Sequence, residues 1–366
     1  METLSGQKKA FWYNNVMGQT AQKNNFYLIL SDLGLLIFAG LIFYYWNDNP
    51  ELAFGQIQFI LFILLITLFT RSVSTRYGIG MYGRGLFLGT GITLLIGAGY
   101  RALGFDPGGS FFASSLFFPT LEEILKLFPV LLSAYLLYRK NPDQQWNISD
   151  WVMLGMMSGT AFGMSEDYYR EGYLGEHFGP HFGNVYLFPD ATGFSYGNGN
   201  EAMGYIGHGA ATAFITLAIG LGFYCSKKFN KKPLCWQIPL LAFIWVTFEH
   251  MANNAGDESD LMLKIFGLLG GGHLTPWLFL ILLLGGVGID AKNFIHAYKT
   301  LPKFKKIALF GVEKTKNFVI KKTWPPLSFM KGCFRALRFL NRAAWHYFFK
   351  TGHYGSFFYS KRYGSF

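Results

Sequence analysis

The sequence predicts an all-α membrane protein, a polytopic bundle of about eight transmembrane helices, and three observations carry that reading. The first is composition: 51% of the 366 residues are hydrophobic and 14% are charged, where soluble domains carry about 25% charged residues. The second is a recurrence of apolar stretches close to the roughly twenty residues that a bilayer core demands of a helix. The third is an alternation of basic and acidic connections between those stretches.

In chain order the apolar stretches fall at 26–46, 52–70, 86–104, 111–138, 150–167, 202–225, 235–255 and 274–290. A polar segment, 1–25, precedes them; beginning METLSGQKKAFWYNN, it lacks the short basic start of a cleaved signal peptide, so Met1 is expected to be retained. Basic residues gather in that segment (Lys8, Lys9, Lys23), in the second connection (Arg71, Arg76, Arg84), in the fourth (Arg139, Lys140) and in the sixth (Lys227, Lys228, Lys231, Lys232). The intervening connections, NDNPE, GFDPGGS, 168–201 and NAGDESD, are acidic or glycine-rich, with Arg170 and Lys264 as their clear basic residues. Both termini are therefore expected in the cytoplasm of an integral protein of the plasma membrane, the inner membrane in a bacterium. Cys225, Cys235 and Cys333 show no framework spacing, and the first two flank a loop placed in the cytoplasm, so no disulfide is expected.

The chain divides into the N-terminal segment 1–25, a membrane domain 26–290 and a basic tail 291–366. Sixteen of the 32 Lys and Arg lie in the tail with one acid, Glu313, so the net charge of +11 arises there. Lys331, Arg335, Arg338 and Arg342 recur at spacings of four, three and four, with Phe334, Leu337, Trp345 and Phe348 on other faces. That pattern suits a helix on an anionic lipid surface, the nearest anionic partner for a tethered basic segment; nucleic acid is not expected as a partner.

The stretch 111–138 is long enough to span a bilayer and carries Glu122, Glu123 and Lys126 in its middle. A charge at the centre of a spanning helix costs roughly 2.5–3.5 kcal/mol on insertion scales, so three together point to binding or chemistry. Lys126 follows Glu122 by four residues and Glu123 by three, placing it one helical turn beyond both. A purely structural ion pair between Glu122 and Lys126 is the competing reading. Later stretches add three polar groups. Glu166 lies in GTAFGMSED, four residues after Phe162, with Gly159 and Gly163 allowing another helix to come close. His208 stands among small residues in GYIGHGAATAFI, and His250 and Asn254 share a face in WVTFEHMANNAG, with Glu249 turned about 100° away. Singly, each has an ordinary structural explanation. Together, carboxylates and two imidazoles are the groups that hold a zinc ion with an open position, or that activate a water directly.

EEILK, FGMSE, the His208 segment and HMANN, in that order and each in its own stretch, resemble the PrsW family of intramembrane proteases, themselves similar to the CAAX prenyl proteases. The resemblance covers roughly 111–255, the motif core. It implies peptide-bond hydrolysis within the membrane, and in bacterial members the cleavage of a membrane-bound anti-sigma factor on its outer side. The matching positions are Glu122, Glu123, Glu166, His208 and His250; the CAAX relatives carry His where this chain has Glu166. The expected roles are His208 and His250 as zinc ligands, Glu166 as third ligand or as support, Glu123 as base, Asn254 as oxyanion donor, and Glu122 with Lys126 as an orienting pair. Glu122 and Glu123 are interchangeable at this level. A metal-free glutamate mechanism uses the same residues, and a proton- or cation-coupled transporter is the rival from another class, although no internal repeat is visible. The loop 168–201, rich in Gly and aromatics, is expected to cover the outer mouth, and Pro180 disfavours a helical His177/His181 metal pair there.

Overall fold

Helix is what this sequence can form in a bilayer, because a spanning backbone must satisfy its own hydrogen bonds. The computed structural model describes residues 25–48, 50–73, 75–105, 110–140, 146–174, 206–255, 259–272 and 274–300, and among them every regular element is helical. The readings placed on 1–24, on most of the 168–201 loop and on the tail from 301 lie outside the described residues.

The helices are α1 (Asn25–Asp48), α2 (Pro50–Ile66), α3 (Thr75–Arg84), α4 (Gly91–Ala102), α5 (Phe118–Lys140), α6 (Ile148–Leu174), α7 (His208–Phe229), α8 (Leu234–Ala255), α9 (Asp260–Leu268) and α10 (Leu274–Thr300). A π-helical turn, Gly85–Thr90, joins α3 to α4, and another, Phe112–Phe117, leads into α5. Among the described residues, four segments are long and apolar enough to cross a membrane: Tyr77–Ala102, His208–Phe229, Leu234–Ala255 and Leu274–Ile295. The polytopic membrane character is therefore written in the helices themselves.

Several boundaries differ from the sequence reading, among them the end of α6 at Leu174, seven residues beyond the expected 167. The third span starts at Tyr77, not 86, because the glycine-rich stretch read as a connection is the helix α3. Its Arg84, counted among cytoplasmic charges, is buried, donating to Ser133 Oγ of α5 at 2.8 Å and lying 5.0 Å from the Tyr77 ring centroid. The sixth span starts at His208, six residues later than expected, where Gly207 at φ 87° and ψ 154° occupies a conformation open essentially to glycine alone. The last helix runs on to Thr300, and α9 adds a short helix, capped by the Ser259 hydroxyl accepting from Met262 N–H, where a loop was expected.

At the centre stand α6 and α7, whose contact is the most extensive in the molecule. Gly155 and Gly159 make that approach feasible. A Cβ at Gly155 would lie 2.0 Å from Thr216 Oγ1, and one at Gly159 would lie 2.3 Å from the His208 carbonyl oxygen. The opposite end of α6 is fixed by polar groups. Asp150 accepts from the N–H groups of Ser72, Val73 and Asn147, while Asp290 of α10 accepts from the N–H and hydroxyl of Ser149. Asp290 thus meets a first-turn donor of α6 and ties it to α10, while Asp150 reaches back to the N–H of Asn147 just before the helix and ties α6 to the 67–73 turn.

Gly159→Ala should cost about 1–3 kcal/mol by overpacking the α6–α7 contact. Gly97→Ala, at a position with nothing within 4 Å, should leave stability unchanged or slightly raised. Thermal unfolding of the two variants in detergent compares them directly; equal midpoints would contradict the close approach of α6 and α7.

Candidate functional site

The polar residues singled out in four separate stretches meet in one buried cluster. Phe118–Lys140 supplies Glu122, Glu123 and Lys126; α6 supplies Glu166; α7 supplies His208 as its first residue; α8 supplies His250. Packing explains the convergence. Gly163 lets α6 lie close against the His208 ring, since a Cβ there would sit 3.3 Å from His208 Cβ and Cδ2, tighter than ordinary contact. Phe162, one residue earlier, covers His208 with ring centroids 5.2 Å apart, and its ring centroid lies 5.4 Å from Lys126 Nζ. Ser158 anchors the same helices by donating to the Lys126 carbonyl at 2.7 Å.

Lys126 is the hub. Its ammonium, 0% exposed, donates to Glu123 Oε1 at 2.5 Å and contacts His208 Nδ1 at 2.7 Å. An ammonium only donates, so His208 Nδ1 is the acceptor and its Nε2 carries the hydrogen. That Nε2 lies 2.6 Å from Glu166 Oε2. Glu123, held as a carboxylate by Lys126, accepts from His250 Nδ1–H at 2.9 Å. His250 Nε2 is then the basic nitrogen, 3.6 Å from Glu122 Oε2. The two imidazoles lie with ring centroids 5.2 Å apart and planes at 75°. Their tautomers are opposite, one set by a cation and the other by a carboxylate.

Burial distinguishes the carboxylates. The Glu123 side chain is 0% exposed, that of Glu122 is 13% and that of Glu166 is 25%. The cluster therefore opens past Glu122 and Glu166. Glu122, His208 and His250 offer ligand atoms within 4.8 Å of one another, a group able to hold a metal ion. The charges suit a cation: three carboxylates surround one ammonium, an excess of two negative charges that a divalent ion would neutralise. The imidazoles suit it unequally. His250 presents a basic Nε2 toward Glu122, whereas His208 would have to release Lys126 or its hydrogen on the Glu166 side before ligating.

Several expected roles are redistributed by this geometry. Lys126 lies 2.5 Å from Glu123, where the sequence left Glu122 and Glu123 interchangeable; a lysine one turn along a helix can turn toward either carboxylate, and Glu123 is the one facing the core. The converging ligand set contains Glu122, and of the two roles expected for Glu166, third ligand or support, its place 2.6 Å from His208 Nε2 fits the second. Asn254 is exposed and its amide reaches the Ser114 carbonyl at 3.4 Å, toward the π-helical turn that leads into α5. Two residues to which the sequence reading gave no role also belong to the surroundings. Phe162 roofs the Lys126–His208 contact, and Glu249, beside His250, is fully buried against Trp245 and Thr275. The i,i+4 pairing of Trp245 with Glu249 was the available signal for the latter.

Lys126→Met should destabilise the protein by about 3–5 kcal/mol, since it strands Glu123 without its cation. The double variant Glu123→Leu/Lys126→Met should recover much of that loss. A double-mutant cycle on unfolding in mixed micelles measures the coupling, and additive effects would contradict the pairing. Searches with protein-family models, among curated proteins and among solved structures find no match to this chain.

Proposed function

We propose that this protein is an intramembrane endopeptidase that hydrolyses a peptide bond of a membrane-embedded protein. The observation that carries the reading is the buried convergence of Glu122, Glu123, Lys126, Glu166, His208 and His250 from four helices, open past two of the carboxylates. The resemblance of EEILK, FGMSE and HMANN to the PrsW pattern supports it independently. In this proposal the membrane domain has about eight spans with both termini in the cytoplasm, and the substrate is a regulatory membrane protein such as an anti-sigma factor. The basic tail contacts anionic lipid.

Peptide hydrolysis needs a water stripped of a proton, a polarised carbonyl and a proton for the leaving amine. Glu122 lies on the open side against the basic Nε2 of His250, so these two take the water's proton. Glu123, pinned by Lys126, orients His250 through Nδ1 and compensates the charge the ring acquires. The departing nitrogen takes back the proton that Glu122 and His250 removed from water, while Glu166 and His208, whose Nε2–H faces Glu166, form a second polar pair at the mouth. In a metal form, zinc held by Glu122, His208 and His250 would supply Lewis acidity to the water and to the scissile carbonyl, and His250 Nε2 would then be a ligand in place of a base. The contact of Lys126 with His208 Nδ1 favours a second form of the same reading, in which Glu122 and His250 act without metal.

Glu122→Gln and His250→Ala should each lower cleavage of single-span membrane proteins by a factor of about 100 or more, with Glu122→Gln leaving the unfolding midpoint unchanged. Metal content of the purified protein separates the two forms: stoichiometric zinc lost in His250→Ala supports the metal form, and full activity after chelation supports the other. Wild-type turnover in both variants would overturn the proposal.

The orientation is testable apart from the chemistry. After replacement of Cys225, Cys235 and Cys333, a cysteine at Leu268, 85% exposed on α9, should react with an impermeant thiol reagent on intact cells. One at exposed Tyr138 should react only in inverted vesicles. The reverse pattern would place the mouth on the cytoplasmic side.

A further inference from the structure

Glu249 takes no part in the chemistry above, yet it is fully buried in α8 immediately before His250. Its Oε1 accepts from Trp245 Nε1, 3.2 Å away and one turn earlier on α8, and from the hydroxyl of Thr275 in the first turn of α10. Trp245 Nε1 also reaches Thr275 Oγ1 at 2.7 Å, which closes a triangle between the two helices. The second carboxyl oxygen, also buried, makes no hydrogen bond among the described residues, so Oε1 makes all of these anchoring contacts. A buried carboxyl is expensive and is often replaceable by an apolar residue without loss of stability, which calls for a reason why one stands here.

We propose that Glu249 is a positioning residue: by tying α8 to the start of α10 it fixes the rotation of α8 about its axis and so aims the His250 ring at Glu123 and Glu122. Adjacent helical residues point about 100° apart, so anchoring Glu249 toward α10 determines where His250 points on the α5 side. The tolerance is small. At about 6 Å from the helix axis, a rotation of about 10° displaces a side chain by about 1 Å. That displacement would take the 2.9 Å His250–Glu123 bond outside hydrogen-bonding range. Apolar packing offers α8 less resistance to rotation than it offers α7, because 28% of its apolar window is buried against 72% for α7. A polar tether supplies the directional restraint that lipid-facing side chains lack.

The inference rests on the cluster's geometry, and its test reads that geometry without any substrate, so it stands or falls separately from the endopeptidase proposal. Full-length protein carrying 15N-labelled histidine is compared in micelles, with the His250 signals assigned by their loss in His250→Asn. In wild type, His250 Nδ1 should show the proton of a hydrogen bond to a carboxylate. Glu249→Leu should abolish that signature, Thr275→Val should weaken it, and Glu249→Gln, which keeps an oxygen acceptor for both donors, should restore it. If Glu249→Leu does not fold, Thr275→Val decides, since it removes one hydroxyl at nearly constant volume. An unchanged His250 signature in folded Glu249→Leu or Thr275→Val would overturn the proposal, as would its loss in Glu249→Gln.

Discussion

A lysine ammonium sealed from solvent in the middle of a helix bundle has to be met by acceptors, and in this protein the whole candidate site is arranged around that requirement. Lys126 finds Glu123 on its own helix and His208 on another. Each choice propagates. With Glu123 held as an anion, His250 donates through Nδ1 and presents Nε2 as a base; with Nδ1 of His208 occupied by the ammonium, its hydrogen lies at Nε2, facing Glu166. One cation thus sets opposite tautomers on two imidazoles 5.2 Å apart. That difference leaves one ring with an accepting Nε2 and the other with a donating Nε2 in the same pocket.

The fold serves this arrangement by bringing backbones close and then preventing them from slipping. In lipid, apolar burial gives little preference for one helix contact over another, so close approach and polar ties carry the specificity. Gly155, Gly159 and Gly163 let α6 lie directly on α7, with the His208 carbonyl and ring occupying the space where methyl groups would be. At the other end of α6, Asp150 and Asp290 collect donors at the start of the helix and join it to two neighbours. Glu249 plays the corresponding part for α8. Carboxylates outside the cluster therefore act as fasteners, and those inside it are left to the chemistry.

How much of this could be read from the sequence depends on whether the determining interaction is local. The helical, membrane-apolar character was legible because hydrophobicity over twenty residues is a local property, and Glu122, Glu123, Lys126, Glu166, His208 and His250 stood out because charge in such a stretch is anomalous. The partnership among them was not legible. Spacings of three and four both place Lys126 near a carboxylate, and the choice of Glu123 is made by which face of α5 turns to α7 and α8. The presence of Glu122 in the converging set, with Glu166 beside His208, has the same origin, since it depends on where α7 begins, and Gly207 starts that helix at His208 itself. The helix α3 was hidden by its glycines and by arginines that resemble a cytoplasmic loop, although Arg84 is satisfied by Ser133 and Tyr77 inside the bundle. Glu249 was seen as turned away from His250, and only the fold supplied Thr275 as the reason.

The central claim is that water is the reactant at this cluster. The most direct measurement reconstitutes the protein in liposomes with single-span membrane proteins in water enriched in 18O and analyses the products by mass spectrometry. Hydrolysis at the cluster predicts new C-terminal carboxylates carrying one 18O atom from the wild-type protein and none from the Glu122→Gln variant. Intact substrates throughout, accompanied by a proton or cation flux across the same liposomes that Glu122→Gln abolishes, would contradict the account and assign the buried charges to transport.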